Sequence, residues 1–163
     1  MRLTDDDLAH LRRCVELARR SLDEGDQPFA AVLVLDDAVV TEHRNRVADG
    51  DGTRHAELEL ARWAAAHLRP SQRAAATVYT SGEHCPMCAA AHAWVGLGRI
   101  VYAASSRQLA GWLRELGVAA PPVRPLPITD VAPGTEVLGP VPELAAELRE
   151  LHRRAHTHGR APG

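Results

Sequence analysis

The order of secondary-structure patterns along this chain predicts an α/β fold, a three-layer α-β-α sandwich on a central, mixed, five-stranded sheet. Two strand-like runs, 29–35 and 38–42, are separated only by Asp36-Asp37, so the first strand turns and comes back as a second. Strand-like runs then alternate with helical patterns, in the order α-β-β-α-β-α-β-α-β-α, which supplies helices for both faces of one sheet. No internal repeat or linker interrupts the 163 residues, so 5–158 reads as one domain with a tail at 159–163. A chain of this length buries roughly 70% of the surface that its unfolded form exposes.

Each element has a local reason. Thr4, followed by Asp5, Asp6 and Asp7, is a helix N-cap with acids over the positive end of the dipole. Leu11, Cys14, Val15, Ala18 and Leu22 then recur at helical spacing, and Gly25 stops the helix. Cys14 therefore reads as packing material. A polar loop from His43 to Thr53 leads into a helix over 54–69, ended by Pro70. The third strand is 76–80. Pro86 suits the first turn of a helix running to Val95, closed by Gly96 and Gly98. A fourth strand at 99–104 and a helix at 108–116 follow. The Pro-rich segment 121–140 is irregular, with a short fifth strand at 126–129, and an amphipathic helix over 143–156 ends the pattern. His152, His156 and His158 then fall on a solvated, frayed terminus.

Composition removes several function classes. A net charge of −2 gives no broad reason to bind nucleic acid or an anionic membrane. No apolar stretch approaches the ~20 residues of a membrane span, and the first residues open an acidic helix rather than a signal peptide, so a cytoplasmic protein is expected. All 19 basic residues are arginine, which excludes lysine Schiff-base chemistry and the lysine-dependent phosphate-binding loop. The three cysteines cannot all pair, and in a reducing compartment the Cys85/Cys88 spacing reads as a metal site or redox pair.

The chemistry concentrates in His55-Ala56-Glu57 and Cys85-Pro86-Met87-Cys88. Catalytic zinc takes three protein ligands of imidazole and thiolate type and leaves a fourth position to water, whose pKa falls to about 7. Cys85 and Cys88, at i and i+3 in the opening turn of a helix, direct both sulfurs to one side. Glu57 shares the core-facing stripe with Leu60, Ala61, Ala64 and Leu68, so it needs a metal, a donor or a proton. His55 and Glu57, two apart, point to nearly opposite sides of a regular helix. They can serve one ion only if His55 sits at the frayed start of that helix. Alone, Cys-x-x-Cys is equally a redox dithiol or a buried pair, and His-x-Glu is most often surface helix. The two together, each before a helix, point to catalytic zinc.

These motifs resemble the zinc-dependent cytidine deaminase superfamily, whose His-x-Glu and Pro-Cys-x-x-Cys roles are established. The similarity is greatest to the branch holding guanine deaminase, other nucleobase deaminases and tRNA adenosine deaminase. It is carried also by Gln27–Val32, Asn45 and Val101–Ala104, and extends over about residues 5–110. The resemblance implies a cytidine deaminase-like fold, zinc on His55, Cys85 and Cys88, and Glu57 as general acid/base. It implies substrate contacts from Asn45, the Ala56 backbone N–H, Phe29 and Trp94, and a homodimer. On residue type alone, Phe29 and Trp94 are core, and Asn45 caps or turns a loop. His84 stands where the family usually has proline, Ala30 replaces a common glycine, and no acid lies between Tyr102 and Glu115, unlike guanine deaminases. His92, on the helix face of Cys88, is the rival that would close the metal site as a fourth ligand.

The leading reading is hydrolytic deamination of a small free nucleobase or related nitrogen heterocycle. The alternatives are a tRNA adenosine deaminase, which needs a basic surface for phosphates, and a nucleoside deaminase. A non-catalytic zinc-stabilised module would show four protein ligands instead.

Overall fold

The computed structural model describes residues 3–157. Helix α1 (Asp5–Asp23) precedes the hairpin β1 (Ala30–Leu35) and β2 (Ala38–Arg44). Helices α2 (Ala56–His67) and α3 (Pro70–Ala75) lead to β3 (Thr77–Gly82), α4 (Pro86–Val95), β4 (Ile100–Ala104) and α5 (Ser106–Glu115). The single turn α6 (Ile128–Val131), β5 (Val137–Leu138) and α7 (Pro142–Thr157) follow. The sheet order is β2-β1-β3-β4-β5, with β1 antiparallel to both neighbours and β3, β4 and β5 mutually parallel. This is the expected mixed five-stranded sheet between helical layers.

Thr4 caps α1 reciprocally with Asp7, as the acid-rich opening predicts. Asp36 and Asp37 both take positive φ (51° and 60°), the conformation that a two-residue hairpin turn with the right twist requires. β1 is buried along its whole length because side chains alternate between two covered faces. Val32, Tyr79 and Val101 meet α1 and α7, whereas Leu33, Val78 and Ile100 meet α2, α4 and α6. Cys14 is wholly buried in the first of these cores.

Three expectations change. Pro70 does not merely end a helix; it occupies the first turn of α3. The fifth strand is at Val137–Leu138, not 126–129, where Pro125 and Pro127 remove ladder donors and Ile128 starts a helical turn. His152 is 4% exposed rather than solvated, because Leu144, Leu148, Leu151 and His152 form the apolar stripe of α7. His158 and the 159–163 tail lie outside the described residues. No helix among the described residues is long and apolar enough to cross a membrane.

Candidate metal centre and active site

Two helices begin at the same edge of the sheet, where the parallel strands β3 and β4 end. His55 is the N-cap of α2 and has extended backbone (φ −78°, ψ 143°), which frees its ring from the helical direction of Glu57. That is the condition the two-residue spacing imposes. Cys85 is the N-cap of α4, with Pro86 in the first turn and Cys88 one turn on. The sulfurs of Cys85 and Cys88 lie 3.6 Å apart, and His55 Nδ1 is 3.5 Å from one and 3.7 Å from the other.

This triangle can be tested against a metal. Tetrahedral zinc, with bonds of about 2.3 Å to sulfur and 2.05 Å to nitrogen, sets two sulfurs about 3.75 Å apart and sulfur from nitrogen about 3.55 Å. All three separations here agree to within about 0.2 Å. Without a metal the two sulfurs share one proton. Hydrogen bonding from Cys88, despite burial, brings Cys85 down to about 4, while the neighbouring Cys85 sulfur and burial push Cys88 up. The Cys85 hydrogen bond raises His55 against its burial. Two thiolates this close need a cation between them or a shared proton, so the donor set fits zinc.

Among the described residues, no other His, Cys, Asp or Glu joins the group. His92, the expected rival, bonds through Nε2 to the Gly98 carbonyl at 2.8 Å and helps close the far end of α4. His84 is buried, with its ring 5.5 Å from that of His92 and its Nδ1 without a partner among the described residues, and it is no ligand.

Glu57, 6% exposed, lies close enough for its charge to act on both His55 and Cys88. Burial raises its carboxyl above the usual range. Its Oε1 is 2.9 Å from Thr80 Oγ1, which also lies 2.8 Å from the Gly82 carbonyl. The Thr80 hydroxyl donates toward both acceptors, so its one hydrogen is shared between Glu57 Oε1 and the Gly82 carbonyl. Neither metal motif points to Thr80. Strand alternation from Val78 is the signal that places it on the α2 face.

Asn45 is 1% exposed, and its Oδ1 accepts the Ala56 N–H at 3.1 Å, capping α2 where His55 does not. The Ala56 amide, expected to face a substrate, is therefore engaged within the chain. Asn45 Nδ2 has no partner among the described residues, a buried donor on the side chain that holds the amide next to His55. Phe29 is half-buried, and its carbonyl accepts the Asn45 N–H at 3.0 Å. A Cβ on Gly82 would come within 3.1 Å of the Phe29 ring, so glycine is what lets that ring approach the end of β3. Behind it packs His152 of α7, its ring 4.9 Å from that of Phe29. Trp94 does not join them. It stands 90% exposed in the last turn of α4, about 13 Å along the helix axis from Cys85. There it borders an open cleft of about 890 Å³, lined also by Thr77, Arg99 and Glu136, at the opposite ends of the strands.

A three-ligand centre with a buried carboxylate beside it, at the strand ends of an α/β sheet, defines a metal-dependent hydrolase. Residues 4–104 match the cytidine and deoxycytidylate deaminase zinc-binding region, so the chain belongs to that family of hydrolytic deaminases. The probable cytosine deaminase of Schizosaccharomyces pombe is 34% identical over 120 residues, 73% of each chain. The guanine deaminase of Bacillus subtilis is 40% identical over 96 residues, 58% of this chain and 62% of that one. A protein solved in complex with 2,6-diaminopurine superposes with a TM-score of 0.75 and 25% identity, over 99% of this chain and 87% of that one.

Proposed function

We propose that the protein hydrolyses the exocyclic amino group of a small free nucleobase or related nitrogen heterocycle, releasing ammonia. The observation that carries this reading is the unpartnered Asn45 Nδ2, a buried donor on a side chain whose Oδ1 holds the Ala56 N–H between His55 and Glu57. A buried donor without an acceptor is unfavourable by about 1–3 kcal/mol, which a ring carbonyl or nitrogen of the substrate relieves. Relatives that act on cytosine and guanine, by their names, support a base-sized substrate. So does the charge arrangement. Arg149, Arg153 and Arg154, the arginine cluster of α7, pair at the surface with Glu115, Glu150 and Asp23, so acids offset the charge that a phosphate backbone would need.

Zinc held by His55, Cys85 and Cys88 would supply a water acidified to a pKa of about 7. Glu57 would be the general base toward water and the general acid first toward a ring nitrogen and then toward the departing amino group, so that water and an amino heterocycle would become an oxo heterocycle and ammonia. Burial raises its carboxyl, which suits a group that must both accept and return protons. Asn45 holds the ring edge in register and Phe29 offers a face for stacking. In this proposal the enzyme is a cytoplasmic homodimer. Cysteines used for packing and for metal rather than for a disulfide support a reducing compartment, and the exposed Trp94 supports a contact between copies.

The test is ammonia release by zinc-loaded protein from cytosine, guanine, adenine, altered pyrimidines and triazines, beside nucleosides and tRNA, with Glu57→Ala as control. Turnover of a free base that disappears in the control supports the reading. Turnover of tRNA alone, or of nothing, defeats it.

A further inference from the structure

Glu83 follows the last residue of β3 and precedes His84-Cys85, and nothing in the deaminase chemistry above uses it. Its partners are far away in sequence. Oε2 accepts the Ser106 N–H at 2.8 Å, at the first residue of α5, and Oε1 accepts the Ile128 N–H at 3.0 Å, at the start of α6. Its own N–H donates to the Ala104 carbonyl at 2.8 Å, at the end of β4. The first amides of a helix have no intrahelical acceptor, and a carboxylate is the strongest acceptor available to them. Ser105, the N-cap of α5, satisfies the Gln108 N–H, which leaves the Ser106 N–H for Glu83. One side chain therefore ties together the starts of two helical segments, α5 and α6.

The location gives this its meaning. Glu83 sits on the strand-end edge that carries Thr80 and Gly82, where ligands of open α/β sheets bind. Across the end of β3, Phe29 precedes β1 on one side, while Ala104 ends β4 on the other, where Glu83 holds the α5 opening and the end of the Pro-rich 118–127 segment. That segment contains no helix or strand, so its end depends on outside partners such as Glu83. We propose that Glu83 is a positioning residue that clamps this far pocket wall to the loop presenting Cys85 and Cys88. The wall and the metal ligands then move as one body. The inference rests on the proposed base-deaminase reading for the occupant of the pocket, and not for the clamp itself.

The test uses full-length, zinc-loaded Glu83→Ala and Glu83→Gln. Gln keeps one acceptor oxygen but turns an N–H toward the second amide. The wall lies away from the reacting atoms, so its displacement weakens ground state and transition state alike. With the best base of the panel, Glu83→Ala raises KM about tenfold with kcat changed less than about threefold, and Glu83→Gln raises KM less. Zinc stays at one per chain, and hydrogen exchange at the Ser106 and Ile128 amides quickens in both variants. A lower melting temperature with KM and exchange unchanged overturns the clamp, as does a loss of kcat that tracks loss of zinc. If Glu83→Ala does not fold, Glu83→Gln carries the same readouts. If the wild type deaminates no base, the substrate reading falls, and the amide exchange alone decides the clamp.

Discussion

Adjacent residues of β3 hold two buried carboxylates on opposite faces of the sheet, and the two are treated differently. Tyr79 donates to Asp7 Oδ1 at 2.7 Å, while Thr80 lies 2.9 Å from Glu57 Oε1. Asp7 also receives Arg99 at 2.7 Å and the Thr4 N–H at 2.9 Å. Burial pushes the Asp7 carboxyl up, but the Thr4 amide, the Tyr79 hydroxyl and the Arg99 charge together bring it below its ordinary value. Glu57 is paired with no arginine among the described residues and meets a neutral hydroxyl instead, so burial dominates and its pKa rises. Asp7, answered by an amide, a phenol and a guanidinium, is held as an anion, whereas Glu57, set deeper among protein atoms with one neutral hydroxyl, has its carboxyl raised. Depth and the number and charge of the donors act together.

The sharpest test of this contrast exchanges each acid for its amide. Glu57→Gln lowers kcat by about 10³-fold or more while zinc content and melting temperature hold, measured by steady-state kinetics and metal analysis. Asp7→Asn does the reverse. It lowers stability by about 3 kcal/mol in denaturant titration, because Arg99 loses its buried partner, and leaves kcat within about twofold. Its pH dependence carries a definite sign. A depressed carboxyl pKa contributes stability that is present above the unfolded value, near 3.9, and is lost as pH falls through the folded value. The gap in melting temperature between wild type and Asp7→Asn therefore closes as pH drops below about 4.

His152 extends the contrast to a base. Burial, then the charge of His156, lowers its pKa to about 4, so the unfolded chain binds its proton first. Stability then declines as pH falls from about 6.5 toward 4, by roughly 1–3 kcal/mol, and His152→Gln flattens that slope in a melting series. The smallest effect belongs to Thr80→Val, which keeps shape but removes the hydroxyl that meets Glu57. A single hydrogen bond of about 1 kcal/mol corresponds to a fall of about fivefold to tenfold in kcat, with zinc retained. An unchanged kcat would mean that the ligand triangle alone orients Glu57.

Much of this architecture is legible in the residues themselves. The hairpin at Asp36-Asp37, the capped first helix and the alternation of strand and helix follow from local residue choice, and local choice is where turn and cap energies act. The ligand set is legible because imidazole and paired thiolates at those spacings have few other uses. The fifth strand is not, because two residues pair with β4 through the backbone alone, and a two-residue strand leaves no period in a sequence. The burial of His152 also escapes, because helical periodicity shows which residues share a stripe, not which stripe finds a partner. Resemblance alone assigns Trp94 to the pocket, yet its position far along α4 turns it away from the site in this chain.

By itself the sequence determined the metal-binding triad, the buried stripe of Glu57 and the mixed sheet between helices, since each is written in neighbouring residues or a regular repeat. Only the tertiary structure decided that Thr80 meets Glu57, that Asn45 caps α2 in place of His55, and that Glu83 joins the openings of α5 and α6. These contacts pair residues 11 to 45 positions apart, and such pairs are chosen by packing rather than by spacing.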